Sequence, residues 1–271
     1  MTAKPSLRER IRNDEVVYGL IVKMPNQPLV EVAGYTGYDL VLIDTEHGQS
    51  DDSVLENHLR SARLAGLETL VRLGRNDPVL ILRALDAGAS GVILPHISTA
   101  DQAALAVAAS RYPPIGNRGL AVSTIAGHHG TMSLEAHLHT SERGSYVIAQ
   151  AEDRDAYVNS AQVAAVPGLD AVWIGPSDLS MSMGYPGQPG HPEVASAIDT
   201  IAVNVAASGN AALCVIADDA EDAARWVERG ARIILFNSTS VLSAALGGTV
   251  TNARRAVDEA RTSSSIKRAA V

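Results

Sequence analysis

The chain has 271 residues, a length that one α/β barrel domain can fill. Hydrophobic residues make up 46% of the composition and aromatic residues only 4%, so we expect an aliphatic, alanine-rich core. The net charge of -8, with Lys and Arg scattered along the chain, argues against nucleic acid or an anionic membrane as the main partner.

Targeting segments and disulfides are not expected. Cys214 is the single cysteine, and its apolar neighbours, AALCVIA, predict a buried thiol rather than a nucleophile. The N-terminal stretch lacks the apolar segment of a signal peptide, and no apolar run reaches the roughly 18 residues of a membrane span. We therefore expect a cytoplasmic protein with no membrane partner.

Short apolar runs alternate with amphipathic stretches along the whole chain. The runs resemble strands buried on both faces of a parallel sheet, and the stretches carry helix start and stop signals. Eight such units predict a (β/α)8 TIM barrel, one domain over residues 1-271 with a frayed tail at 262-271; an open doubly wound sheet is the alternative. The predicted strands are 16–24, 38–46, 67–74, 90–97, 145–152, 170–178, 211–218 and 231–237.

Two long segments interrupt this alternation, one at 111–144 after the fourth strand and one at 180–193 after the sixth. Long loops in compact domains are usually functional, and we expect both on the C-terminal face of the barrel, where barrel enzymes carry their active sites. The longer segment holds four histidines whose spacing matches no standard zinc pattern, so we predict a solvated, mobile lid. These histidines are His128, His129, His137 and His139.

Polar residues collect at the C-terminal ends of the predicted strands. Packing favours apolar side chains there, so a polar ring indicates a functional site. Each residue taken singly has a structural explanation, such as a helix cap, a surface charge or an ion pair, and the prediction rests on four strand ends being polar together. The residues are Asp44, Glu46 and His47 at the end of the second strand, Arg72 in the third, His96 at the end of the fourth, Gln150 and Glu152 at the end of the fifth and Asp178 at the end of the sixth.

These residue types suit chemistry on a 2-oxo acid. The carboxylates Glu152 and Asp178 are hard oxygen ligands for Mg²⁺ or Mn²⁺, which polarise the ketone of a chelated 2-oxo acid. Arg72 can hold an enolate or carboxylate oxygen, and His47 can move protons. Backbone N–H groups of the IGPSDLS loop offer a seat for the substrate carboxylate. Of the three lysines only Lys23 lies near a strand end, which disfavours a Schiff-base aldolase.

Several motifs together resemble the HpcH/HpaI family of class II pyruvate aldolases over residues 17–245: VLIDTEHGQSD, VRLGRNDP, AQAEDRDAYVN and VWIGPSDLSMSMGY. The resemblance implies a barrel of the phosphoenolpyruvate/pyruvate superfamily type. It implies that Glu152 and Asp178 bind a divalent metal, Mg²⁺ or Mn²⁺ with Co²⁺ as a further candidate. It also implies that Arg72 stabilises the pyruvate enolate and that His47 and Asp86 form a proton-transfer dyad.

The resemblance extends to the substrate loop and to assembly. It implies that Gln150 lies close to the metal and that the pyruvate carboxylate binds at the GPSD turn. It implies a homohexamer built as a trimer of dimers, in which the last helix, with residues 238–261, is exchanged between subunits. The residues of the turn are Gly175, Pro176, Ser177 and Asp178.

Three departures from the family pattern leave the acceptor aldehyde open: AVSTIAGHHG lacks an Arg, TSERGSY lacks an Asn, and FNSTSVL replaces a Gly/Asp segment. The sequence predicts cleavage of 4-hydroxy-2-oxo acids to pyruvate or hydroxypyruvate and an aldehyde, and the reverse condensation. Oxaloacetate decarboxylation and addition of the enolate to another acceptor in biosynthesis remain alternatives. A non-catalytic 2-oxo acid sensor is a third, disfavoured by the presence of both His47 and Asp86.

Overall fold

The structure, a computed structural model, describes the backbone of residues 5–269 and the side chains of residues 5–261. Eight parallel strands close into a barrel in chain order, with β8 paired to β1. This confirms the predicted TIM barrel and rules out the open sheet. The strands are β1 Val17–Val22, β2 Leu40–Asp44, β3 Glu68–Arg72, β4 Gly91–Leu94, β5 Tyr146–Ala151, β6 Ala171–Ile174, β7 Ala212–Ile216 and β8 Ala231–Asn237.

Helices surround the barrel, and most begin at a polar cap residue whose side chain accepts a backbone hydrogen bond. The helices are α1 Leu7–Arg12, α2 Gln27–Tyr35, α3 Asp52–Leu64, α4 Pro78–Asp86, α5 Ala100–Ser110, α6 Leu134–Gly144, α7 Arg154–Val158, α8 Ser160–Ala164, α9 Pro176–Ser182, α10 Pro192–Ser208, α11 Ala220–Glu228 and α12 Ser238–Ala269. None of the helices in the described part of the chain has the length and apolar character needed to cross a bilayer.

Two apolar layers follow from the strand alternation. One lies between sheet and helices, and the other fills the barrel interior, with Leu40, Leu42, Leu70 and Trp173 among its members. Cys214 belongs to the interior layer, where burial raises the pKa of its thiol, in agreement with the expected inert cysteine.

Helix α1 closes the N-terminal end of the barrel. Leu7 joins the interior layer, and Arg8 binds Asp170 through Nε and Nη2 at 2.5 and 2.9 Å. Arg111 donates to the same carboxylate at 2.9 Å, as does the backbone N–H of Val147. Asp170 therefore ties α1, the end of α5 and the starts of two strands together.

The segment 111–144 is on the N-terminal side, which corrects the prediction of a lid over the active site. It follows α5, and that helix has already returned the chain to the N-terminal end before the segment starts. The segment is ordered into a 3-10 turn at Ile125–Gly130 and helix α6. His137 is buried with its Nε2 at 2.9 Å from the Tyr112 hydroxyl, whereas the other three histidines are exposed.

Two further expectations concern the loop after α9 and the C-terminal tail. The loop after α9 lies on the C-terminal side, as expected for 180–193, because it connects β6 and α9 to the start of α10. The backbone of α12 is helical to Ala269, and the frayed tail expected at 262–271 stays a prediction; the last two residues lie outside the described part. From Thr239 to Arg261 most of α12 is exposed.

We expect Asp170→Asn to lower the free energy of unfolding by about 3 kcal/mol, because two poorly exposed guanidinium groups lose their shared carboxylate. Asp14→Asn is the matched control at the same end of the barrel, since Asp14 is 79% exposed and its pair with Arg232 should contribute less than about 1 kcal/mol. Urea unfolding followed by circular dichroism measures both. Equal losses in the two variants would contradict this assignment.

Candidate active site

The last residues of β2 and β3 form a buried ion pair at the C-terminal end of the barrel. Asp44 and Arg72 are register partners, so their side chains point to the same side of the sheet. Arg72 donates from Nε and Nη2 to the two carboxylate oxygens of Asp44 at 3.0 and 2.5 Å. Its guanidinium carbon also lies 5.1 Å from the ring centroid of Trp173, which forms the floor below it.

The ion pair lowers the pKa of the Asp44 carboxyl group. Burial alone would raise the pKa of the carboxyl group, but hydrogen bonds and charge from Arg72, together with the N–H groups of His47 and Glu46, bring it below its ordinary value. Asp44 is therefore ionised at neutral pH and fixes the orientation of the arginine.

The turn after β2 presents Glu46 and His47 to the mouth of the barrel. Asp44 accepts from both of their backbone N–H groups at 3.1 Å. Gly48 is required there, since a Cβ would overlap the carbonyl oxygen of Asp44. Glu46 places a carboxylate oxygen 3.2 Å from Arg72 Nη1 and 3.9 Å from His47 Nε2. The His47 side chain is 56% exposed and is thus open to a ligand.

Glu152, which follows β5 directly, is buried at the same end. One of its oxygens accepts from the His96 backbone N–H at 2.8 Å, and the other accepts from Gln150 Nε2. Gln150 in turn lies 3.5 Å from Arg72 Nη1, which links the two halves of the site. His96 has a φ of 54°, a left-handed conformation uncommon for a residue with a side chain, and its Nδ1 is 3.3 Å from Glu152.

The environment of Glu152 is electrostatically unfavourable for a carboxylate. Burial raises the pKa of its carboxyl group to about 7, with further contributions from the charges of Glu46 and Asp178, although the His96 N–H opposes the shift. The negative charge of Asp178 thus disfavours the ionised form of Glu152. A divalent cation between the two acids would relieve this repulsion, and hard oxygen donors suit Mg²⁺ or Mn²⁺. Within residues 5–261, no group of three or more His, Cys, Asp or Glu side chains is arranged as a metal site.

The joint between β6 and α9 brings the GPSD turn against Glu152. A Cβ on Gly175 would lie 2.7 Å from the Glu152 Cβ and 3.0 Å from its Oε2, so only glycine allows this approach. Helix α9 starts at Pro176 and carries Asp178 in its first turn. The first turn of a helix leaves backbone N–H groups without an intrahelical acceptor, and here they belong to Ser177 and its neighbours.

Asp86 does not meet His47 within one chain. It ends α4, on the N-terminal side of the barrel, and its carboxylate accepts from Arg118 Nη2 at 2.6 Å. His47 follows the C-terminal end of β2, roughly a strand length away. The two residues of the predicted dyad therefore lie at opposite ends of the barrel in one chain, and the acid within 4 Å of the His47 imidazole in the described part is Glu46, at 3.9 Å.

Lys23 belongs to this end of the barrel, although no role for it was predicted. It follows β1, with Nζ 3.9 Å from an Asp44 carboxylate oxygen. The signal in the sequence was the alternation along β1, which places Val17, Ile21 and then Lys23 on the interior side. The contacts that Glu46 and His96 make also could not be predicted, because both residues lie in turns whose conformation depends on neighbouring strands.

Sequence and structure comparisons identify related proteins. The sequence profile of the HpcH/HpaI aldolase/citrate lyase family matches residues 18–244. A 4-hydroxy-2-oxo-heptane-1,7-dioate aldolase of Salmonella dublin is 34% identical over 241 residues, 89% of this chain and 91% of that protein.

Two solved structures are similar over nearly their full length. An HpcH/HpaI aldolase/citrate lyase family protein from Burkholderia cenocepacia J2315 has a TM-score of 0.86 and 33% identity, covering 92% of this chain and 98% of the other. The citrate synthase SbnG has a TM-score of 0.84 and 31% identity, covering 93% and 99%. These matches confirm the resemblance found in the motifs: the chain belongs to the HpcH/HpaI aldolase/citrate lyase family.

Proposed function

We propose that the protein is a metal-dependent class II aldolase, a carbon–carbon lyase. It cleaves 4-hydroxy-2-oxo acids to pyruvate or hydroxypyruvate and an aldehyde, and it catalyses the reverse condensation. The observation that carries this proposal is the buried Glu152, with a carboxyl pKa raised to about 7, linked through Gln150 to the guanidinium of Arg72. A carboxylate shielded from water beside other acids is suited to bind a cation. An arginine of fixed orientation is suited to stabilise an anionic intermediate.

Glu152 and Asp178 would hold the divalent metal, Mg²⁺ or Mn²⁺ by the chemistry of their oxygens, with Co²⁺ as a further candidate. When bound, such an ion supplies Lewis-acid polarisation of the 2-oxo acid. Gln150 keeps the Glu152 carboxylate oriented. The N–H groups around Ser177, at the start of α9, receive the substrate carboxylate, and Gly175 lets that turn approach the acids.

Arg72 stabilises the negative charge that develops on the enolate of pyruvate. Its guanidinium is oriented by Asp44 and so requires little reorganisation during the reaction. His47 transfers protons at the open side of the site, where its imidazole is accessible. A carboxylate oxygen of Glu46 lies 3.9 Å from His47 Nε2, on the side of the imidazole that faces Arg72.

The family's dyad and assembly remain proposals for this chain. We propose that Asp86 meets His47 only across a subunit boundary of a homohexamer. The exposed α12 supports such an assembly, because Val241, Leu246 and Val250 are 43%, 67% and 50% exposed along one helix. In the predicted trimer of dimers, this helix would be exchanged between neighbouring barrels.

A second candidate is addition of the same enolate to a keto acid acceptor, since the similar structure SbnG is named a citrate synthase. Decarboxylation of oxaloacetate uses the same groups. Steady-state assays of oxaloacetate decarboxylation and of aldol cleavage, run side by side, distinguish these reactions from the proposed one. Aldol cleavage at least as efficient as decarboxylation is expected.

Arg72→Lys should lower kcat for aldol cleavage about a hundredfold or more, because an ammonium cannot bind Asp44 through two parallel hydrogen bonds and still face the enolate. Arg75→Lys is the control at the same end of the barrel; Arg75 is 73% exposed and pairs with Asp77. Its kcat should stay within about twofold of the wild type. Full activity of the Arg72 variant would contradict the assigned role.

Glu152→Gln should weaken Mn²⁺ binding at least tenfold in isothermal titration calorimetry, and EDTA should abolish aldol cleavage by the wild type until metal is restored. The variant should bind Mn²⁺ more weakly because it lacks one of the two anionic ligands. Asp155→Asn removes an exposed carboxylate three residues further on and should leave Mn²⁺ affinity unchanged. Wild-type activity that survives complete chelation would overturn the metal-dependent mechanism.

The metal-free protein should lose stability as the pH rises. The folded-state pKa of Glu152 is about 7 and its ordinary value 4.5, so between these values the folded state binds more protons than the unfolded chain. The free energy of unfolding should therefore fall from pH 4.5 to above pH 7, by about 3 kcal/mol through this group. Urea unfolding in EDTA measures it, and Glu152→Gln should show a smaller pH slope. Parallel slopes would refute this.

A further inference from the structure

Trp173 is an aromatic side chain in an interior layer that is otherwise mostly aliphatic. It lies in β6, with Gln150 and Cys214 as register partners on the two neighbouring strands, and it is 2% exposed. Its ring extends toward β3, three strands away around the barrel, where the guanidinium carbon of Arg72 lies 5.1 Å from the ring centroid. A large, rigid ring therefore separates the charge of Arg72 from the aliphatic interior.

Asp44 does not by itself fix the guanidinium in every direction. Its two oxygens accept from Nε and Nη2 of Arg72, and both hydrogen bonds would survive a tilt about the line that joins these nitrogens. Such a tilt would move Nη1, the nitrogen that Asp44 does not bind and that lies 3.5 Å from Gln150 Oε1. The indole ring of Trp173 lies where the guanidinium would tilt toward the barrel interior, so it restricts this movement.

The indole N–H indicates that the ring does more than fill space. Nε1 of Trp173 is buried and has no hydrogen-bond partner in the part of the chain that the structure describes. A buried N–H without an acceptor lowers stability, so packing alone would favour a phenyl ring or an aliphatic side chain here. Tryptophan attracts a cation over its ring face more strongly than the other aromatic residues do. The contact with Arg72 is therefore a physical reason for an indole at this position.

Resting on the proposed aldolase function, we propose that Trp173 is a positioning residue: its ring sets the plane of the Arg72 guanidinium and keeps water from entering beneath it. Stabilisation of an enolate depends on a donor that is aimed before the reaction and on surroundings that screen its charge weakly. Without the ring, a space would open below a charged group, and water could enter it. The guanidinium would then be less fixed and more strongly screened, and it would stabilise the enolate less.

The kinetic test compares Trp173→Met, which removes the ring, with Trp173→Phe, which retains one. Trp173→Met should lower kcat for aldol cleavage about tenfold or more and change KM less than about threefold, and Trp173→Phe should recover most of the loss. In an Arg72→Lys background, which has no guanidinium to position, Trp173→Met should lower kcat by less than about threefold. Ile233→Ala is the matched control, because it opens space in the same interior layer beside Val17, at the start of β1; its kcat should stay within about twofold of the wild type.

Fluorescence provides a second measurement, which does not depend on turnover and decides the question if Trp173→Met fails to fold. Trp226→Phe leaves Trp173 as the single tryptophan, so the emission reports on the charge above its ring. Oxalate, an unreactive dianion that resembles the pyruvate enolate, should shift the emission maximum when it binds with Mg²⁺ beside Arg72. With Arg72→Lys added, saturating oxalate should produce a clearly smaller shift.

The outcomes show which proposal fails. Absence of metal-dependent hydrogen exchange at C3 of pyruvate in the wild type would contradict the aldolase function itself. If exchange occurs but Trp173→Met lowers kcat by the same factor in both backgrounds, the ring does not act through the guanidinium and the inference is wrong. Unchanged kcat in a folded Trp173→Met variant would also overturn it, as would oxalate that binds by calorimetry without changing the emission.

Discussion

The ion pair between Asp44 and Arg72 is the interaction on which the active end of the barrel depends. It lies at the boundary between the apolar interior of the barrel and its polar C-terminal end. Trp173 lies below the guanidinium and Gln150 beside it. A buried guanidinium is tolerable only with a carboxylate partner of good geometry, and two parallel hydrogen bonds provide it. The same pair aims the positive charge at the space where the acids and the substrate meet.

The side chains at the C-terminal end of the barrel differ in their exposure to solvent. Glu152 is 2% exposed and is held by hydrogen bonds from the Gln150 side chain and the His96 backbone, whereas His47 is largely open to solvent. Groups that bind a cation benefit from a dry, preorganised position, whereas a proton-transfer group needs exchange with water. The barrel supplies both because the former sits on a strand end and the latter in a turn.

The sequence predicted the barrel and most of the polar ring for a clear physical reason. Strand runs, helix caps and glycine joints are local signals, and a closed parallel barrel brings all C-terminal strand ends together. Contacts that depend on three-dimensional packing could not be predicted from local sequence patterns. Asp86 pairs with Arg118 because α4 ends on the far side of the barrel, and the 111–144 segment lies there for the same reason. The contact between Lys23 and Asp44 could not be predicted because it depends on β1 being adjacent to β2.

The 111–144 segment and the Asp170 cluster both lie at the N-terminal end of the barrel. This placement affects which parts of the protein can change during evolution. Hydrogen bonds to Asp170 join α1, the end of α5 and two strand starts, whereas the candidate active-site side chains lie at the opposite end of the barrel. Substitutions in the turns at the C-terminal end of the barrel can therefore change which substrates bind without lowering the stability of the fold. Substitutions at one end of the barrel should leave the hydrogen bonds at the other end intact, because the apolar interior layer lies between them.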